Sequence, residues 1–247
     1  MGFIGSCFEK IEGWLGTFSM EVFSSILRRE WIDQALEVSG RQTRRERELT
    51  SPFVVWLILA MGLYRNLSIE NVLKRLGNVP GFGSLWKDGD PPESSSVVQA
   101  RDRIGFSPLR CLLERFREWA LQTYRETMSW RGLLVLALDG TTFKVPDSPQ
   151  NRRRFGLPKA SRGRSAFPQM RAVFMASAKL HLILGAMFAP YHRGEFKLAM
   201  RMLPTIPSGS LVLMDRGFNG WALLLGIKNQ GSHFLVRMRK SMRGRTV

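Results

Sequence analysis

The chain has 247 residues, 44% of them hydrophobic, and a formal net charge of +17; this is enough apolar material to bury a core, and the chain reads as globular, not disordered. Its two cysteines, Cys7 and Cys111, are too few and too far apart for a disulfide framework or a zinc site, so each reads as a small apolar residue in a reducing compartment. The charge is lopsided: residues 1–130 hold 17 Lys and Arg against 16 Asp and Glu, whereas residues 131–247 hold 20 against 4, an excess that favours a polyanionic partner, nucleic acid before a membrane surface.

Glu9 and Glu12 interrupt the first apolar stretch, which therefore lacks the form of a signal peptide, and a cytoplasmic location is expected. Thr50-Ser51-Pro52 offers a cap followed by proline in the first turn, opening an apolar helix toward Tyr64. The run Phe53 to Tyr64 spans 12 residues, a core helix well short of the ~20 needed to cross a bilayer. Ser68 caps a short helix that Gly77 stops, and the Pro- and Gly-rich segment Asn78 to Pro92 reads as loop. Ser96 to Ile104 is a short helix closed by Gly105. Ser107-Pro108 starts a longer one, with Leu109, Leu112, Leu113, Phe116, Trp119, Ala120 and Tyr124 at the spacing of a buried stripe. Two short helices and a longer one are compatible with a DNA-reading helix-turn-helix. The near-neutral charge of this half favours an ordinary helical bundle.

From Leu133 the period becomes extended. Leu133 to Leu138 reads as a fully buried strand, Arg171 to Ala178 and His181 to Phe188 as a hairpin around Lys179-Leu180, and Glu195 to Leu203 as a helix. Leu211 to Met214 is a buried strand, Trp221 to Lys228 a helix and His233 to Met238 a strand. The fold class expected is mixed α/β, or α+β: a helical domain over residues 1–130 followed by a mixed layer over residues 131–247.

The four acids of the second half can be weighed one by one. Asp139 follows the first buried strand and Asp215 the fourth, the place where open α/β sheets keep their chemistry. Asp139-Gly140 is also a turn signal, and Asp215 also a loop residue or cap, so each alone says little. Together, if their strands are neighbours, they bring like charges close enough to need a cation, and hard oxygen donors without a Cys or His cluster select Mg2+ or Mn2+. Asp147 is a turn residue and Glu195 a first-turn helix residue, with a metal-facing role left open for either. His181, His192 and His233 have no ligand spacing. No P-loop, GxGxxG or GxSxG is present. Arg152, Arg153 and Arg154, then Lys159, Arg162 and Arg164, form a basic segment between the first two strands. It is either a solvated loop or a cradle for a phosphate chain, to which Lys144, Arg171, Arg193 and Arg216 add contacts.

The series Leu136-Ala137-Leu138-Asp139-Gly140-Thr141, Pro146-Asp147-Ser148 with Asn151 and Phe155-Gly156, Phe167-Pro168-Gln169-Met170-Arg171, and Leu213-Met214-Asp215-Arg216-Gly217-Phe218 resembles bacterial insertion-sequence transposases of the DDE class, in the subgroup named after insertion element four. Leu49-Thr50-Ser51-Pro52-Phe53 and Ala100-Arg101-Asp102-Arg103-Ile104-Gly105 resemble that subgroup's N-terminal domain.

The resemblance implies a ribonuclease H-like catalytic domain in which Asp139 and Asp215 are the first two acids of a triad binding magnesium, with double-stranded DNA, both element ends and target, as substrate. It further implies a nucleoid-associated protein, a homodimer or a mixed oligomer with a full-length transposase, and no membrane. The subgroup's third acid is a Glu in a Tyr-x2-Arg-x3-Glu-x6-Lys signature beyond a β-rich insertion. Residues 216–247 contain no Asp or Glu, and His233 to Met238 resembles the first strand of that insertion. The expectation is therefore an incomplete catalytic domain. The alternatives are a non-enzymatic DNA-binding fragment that modulates a full-length transposase, or a basic RNA-associated protein, which explains the charge but not the two aspartates.

Overall fold

The computed structural model describes residues 27–43, 49–77, 91–160, 163–164 and 167–238. Cys7, Glu9, Glu12, Arg162 and all of the expected loop before Pro91 lie outside them. The chain divides into two compact units, separated in sequence between Arg115 and Phe116. Among the described residues no helix is long and apolar enough to cross a membrane.

The first unit is helical: α1 (Arg29–Val38), α2 (Ser51–Leu63), α3 (Ile69–Gly77), α4 (Ser94–Ile104) and the start of α5 (Ser107–Met128). Helix α2 is apolar all round, and Phe53, Val54, Val55, Trp56, Leu57 and Ala60 are all buried, as a central core helix requires. Ile32 and Leu36 of α1, Leu73 and Leu76 of α3 and Ile104 of α4 complete the core, and half-buried Cys111 packs on its edge. Thr50 makes no side-chain cap. The orphan N–H of Ser51 instead donates to Thr43 Oγ1 at 2.6 Å, a donor–acceptor match that spacing along the chain does not reveal. Ser68 does cap, accepting from Asn71 N at 3.3 Å, and Gly105 closes α4 in the left-handed region at φ +65°.

The second unit is built on a mixed sheet of strands β1 (Ser129–Trp130), β2 (Leu133–Lys144), β5 (Gln169–Ser177), β6 (Ile183–Pro190), β7 (Ser210–Met214) and β8 (His233–Val236). The order is β6-β5-β2-β7-β8, with β1 paired to β2. Strands β2, β5 and β6 form an antiparallel meander, whereas β7 lies parallel to β2 and β8 parallel to β7. Helices α7 (Glu195–Met202) and α8 (Trp221–Asn229) follow β6 and β7. The alternation along β2 turns Leu134, Leu136 and Leu138 toward Leu198, Met202, Leu223 and Ile227 in one core. The opposite face carries an edge-to-face aromatic row, with Phe143 6.2 Å and Phe188 6.0 Å from Phe174 between ring centroids.

The expected order of strands and helices is present, with three corrections. Strand β2 does not stop at Leu138: Thr141, Thr142 and Phe143 are good strand formers, and pairing with β5 carries it to Lys144. Asp139 is thus within a strand, not at its end. The arginine-rich segment is not all loop. Pro149–Phe155 forms helix α6, whose N-cap Ser148 accepts from Asn151 N at 3.2 Å, and the hairpin β3 (Lys159–Ala160) and β4 (Gly163–Arg164) follows. His181 lies in the turn before β6 at φ +57°, not in the strand.

Candidate active site

Strands β2 and β7 are parallel neighbours, and their last paired residues are Leu138 and Met214. Asp139 and Asp215 are the next residue on each, so the register sets them level at the point where the ladder ends. Asp139 stays in the sheet, opposite Phe174 of β5, and strand alternation directs it to the aromatic face, away from the helix-covered core. Past Met214 the chain turns out of the sheet. Asp215 caps a 3-10 turn, Arg216–Phe218, accepting from Gly217 N at 2.8 Å while Phe218 is buried beneath. Asp139 accepts from the next amide, Gly140 N, also at 2.8 Å. Asp139 is half-buried and Asp215 exposed, so both carboxylates can be reached from solvent.

Two hard carboxylates on adjacent strand positions suit a small divalent cation with octahedral preference, completed by water and substrate oxygens. Among the described residues no group of three or more His, Cys, Asp or Glu side chains is arranged to hold a metal ion. The acids that the described residues bring to this end of the β2–β7 ladder are Asp139 and Asp215. The other two acids of this half are engaged elsewhere. Asp147 takes both Nε and Nη2 of Arg152, and this hydrogen bond holds its carboxyl below the ordinary Asp range. Glu195 accepts from Arg171 Nη1 at 2.6 Å and lies against Gly140 on the helix-covered face, across the sheet from the direction of Asp139.

The basic residues separate into groups. Arg153 and Arg154 are exposed on α6, Lys144 at the end of β2 and Arg193 in the connection before α7. Arg216 is exposed directly after Asp215. Lys159 and Arg164 belong to the β3–β4 hairpin. Arg171 differs: its Nε donates to the Tyr191 carbonyl, its guanidinium sits 5.0 Å from the Tyr191 ring centroid, and its side chain is only 19% exposed. These bonds commit it to the fold. Arg152, bound to Asp147, retains an exposed side chain. The three histidines are all exposed, away from any core role.

Two features escaped the sequence reading. Helix α6 had a signal, Ser148-Pro149, the same cap-and-proline pair that opens α5 at Ser107-Pro108. The meeting of Arg171, Glu195 and Gly140 had none, because it joins three elements distant in sequence.

Residues 17–114 match the family described as insertion element 4 transposase N-terminal, and residues 130–246 match the transposase DDE domain. The chain is 34% identical over 234 residues to the putative transposase InsZ of Escherichia coli strain K12, covering 91% of this chain and 73% of that protein. It is 28% identical over 216 residues to the transposase InsG for insertion sequence element IS4 of the same strain, covering 85% of this chain and 47% of InsG. The chain thus spans about three quarters of one relative and about half of the other. A solved structure of the piggyBac transposase synaptic complex with hairpin DNA aligns at a TM-score of 0.36 and 14% identity, covering 87% of this chain and 48% of that one.

Proposed function

Because the chain belongs to the insertion element 4 family of DDE transposases, we propose that its second half is a ribonuclease H-like domain in which Asp139 and Asp215 hold divalent metal at the DNA backbone. The sheet supports the fold: an antiparallel meander of three strands, then two strands added in parallel on the other side of the first. The single observation that carries the site is the β2–β7 register, whose last pair is Leu138 and Met214, the residues immediately before the two aspartates.

In this reading Mg2+ or Mn2+, when bound, supplies Lewis-acid activation of a water or DNA 3′-hydroxyl and stabilisation of the leaving oxygen. The rest is the work of the chain itself. Asp139 and Asp215 contribute negative charge on rigid backbone, each with one oxygen already oriented by an amide. Lys144, Arg153, Arg154, Arg193 and Arg216, exposed cations of the same half, hold duplex phosphates through sequence-independent contacts, and Arg152 adds to them while bracing Asp147.

Residues 1–247 bring two acids to this site, and no Asp or Glu follows Asp215 in the sequence. In this reading the two acids bind metal at the DNA backbone, and cleavage and joining need a further acid beside them. The strongly basic half favours, as a second reading, a DNA-binding modulator of a transposase. DNA carrying the element's terminal repeats, incubated with Mg2+ and this chain, tests both. The expected result is salt-sensitive binding without cleavage, and a Mn2+ affinity that falls about a hundredfold in Asp139→Asn and in Asp215→Asn. Robust cleavage by this chain alone would overturn the need for a further acid, and Mn2+ binding indifferent to both substitutions would overturn the site.

A further inference from the structure

Asp139 lies where β2 loses a neighbour. Up to Leu138 the strand is paired on both sides; from Asp139 to Lys144, among the described residues, it pairs with β5. A strand held by one ladder opens more readily than one held by two, so the orientation of residue 139 needs support from outside the sheet. Glu195, the first residue of α7, is in place to give it. Its side chain covers Gly140 so closely that a Cβ added there would stand 2.5 Å from Glu195 Cδ and 2.8 Å from Oε2. Arg171, the cross-strand neighbour of Thr142, grips that carboxylate through Nη1 at 2.6 Å and is itself anchored through Nε to the Tyr191 carbonyl at 3.2 Å.

Strands β2 and β5, the connection after β6 and helix α7 are thereby tied at one carboxylate. The two side chains are 19% and 32% exposed, sheltered enough for a charge-assisted hydrogen bond to hold its geometry better than a surface pair does. What the pair presses on is the residue whose amide binds Asp139 Oδ1 at 2.8 Å.

We infer that the Arg171–Glu195 pair is a positioning clamp for Asp139, acting through the backbone of Gly140, and that Glu195 is not itself a metal ligand. This rests on the reading of Asp139 as part of a metal site. The clamp accounts for the glycine: any side chain at residue 140 displaces Glu195.

Two measurements on the whole chain test it: Mn2+ affinity from the paramagnetic resonance of the free ion, and hydrogen exchange at the Gly140 amide without metal. Arg171→Met and Glu195→Ala are each expected to weaken Mn2+ binding about tenfold and to speed exchange at Gly140, and the double variant to lose little more than either single one. Gly140→Ala is expected to reproduce the loss in the native background and to add little in the Glu195→Ala background. A ligand role for Glu195, or a purely electrostatic one, gives the opposite sign for Arg171→Met, because removing a cation beside a metal site tightens Mn2+ or leaves it unchanged. That outcome overturns the clamp. If Arg171→Met does not fold, Arg171→Lys keeps the charge without the two-point grip and is expected to weaken binding in the same direction. If native Mn2+ binding is indifferent to Asp139→Asn, the metal reading has failed on its own. Exchange at Gly140 then decides the clamp: faster in both variants upholds it, unchanged overturns it.

Discussion

The two halves of the chain, residues 1–130 and residues 131–247, use charge in opposite ways. Residues 1–130 carry 17 basic and 16 acidic side chains, and several of them serve the fold directly. Arg103 donates to the Leu49 carbonyl at 3.1 Å, Arg41 to the Arg103 carbonyl at 3.0 Å, and Lys74 pairs with Glu70 at 2.7 Å. Residues 131–247 carry 20 basic side chains and 4 acids, and every acid has a defined bond: Asp147 to Arg152, Glu195 to Arg171, Asp139 and Asp215 to backbone amides. The lesson is that residues 1–130 nearly balance their charge, whereas residues 131–247 give each of their few carboxylates a defined bond and carry a cationic surplus.

The largest test of that division is a cavity in the helical core. Phe53 is 2% exposed at the centre of α2, so Phe53→Ala is expected to cost about 3–5 kcal/mol in denaturant unfolding. If the units are chemically separate, Mn2+ affinity of the folded protein stays within about twofold of the native value. A loss as large as that in Asp139→Asn would break the comparison.

The next effect concerns the cationic surplus. Removing exposed Arg153 and Arg154 together is expected to reduce the slope of log K against log salt for duplex DNA by about 2, near one unit per lost phosphate contact. Removing Arg101 and Arg110, exposed in the helical half, is expected to change it by less than about 0.5. Equal slopes for the two pairs would show that DNA is held by both units.

The smallest effect sharpens the account of the bound acids. The hydrogen bond to Arg152 lowers the Asp147 carboxyl, so its folded pKa lies below the unfolded one. The stabilisation is then present above the ordinary Asp range of about 3.9 and is lost as pH falls through the lower folded value. Both groups are exposed, so the effect is confined to α6: amide exchange in Pro149–Phe155 is expected to quicken only in strongly acidic buffer. In Asp147→Asn, exchange there is expected to be already faster at neutral pH and to change little on acidification.

Much of this architecture was legible along the chain because it follows from local periodicity. The uniformly apolar run after Pro52 has no polar face to present to water and becomes a central helix. The short runs at Leu133 and Leu211 lack a polar alternate and become interior strands, and the hairpin at Lys179-Leu180 is marked by two β-rich segments around a short polar break. The extent of β2 was not legible. Asp139-Gly140-Thr141 has the composition of a turn, and only the presence of β5 along its edge keeps it extended to Lys144. Thr43 as the partner of Ser51 N–H was equally hidden.

The sequence alone determined which residues are scarce and therefore informative: four acids among residues 131–247, two of them beside buried strands, in a half with all but one unit of the net charge. Those are properties of composition and spacing, and they need no partner to be true. Only the tertiary structure decided that β7 inserts beside β2 in parallel, that its ladder ends one residue before each aspartate, and that Glu195 is drawn to Arg171 over Gly140. The physical reason is that strand pairing and long-range ion pairs join segments separated by tens of residues, and nothing in local propensity encodes which of them become neighbours.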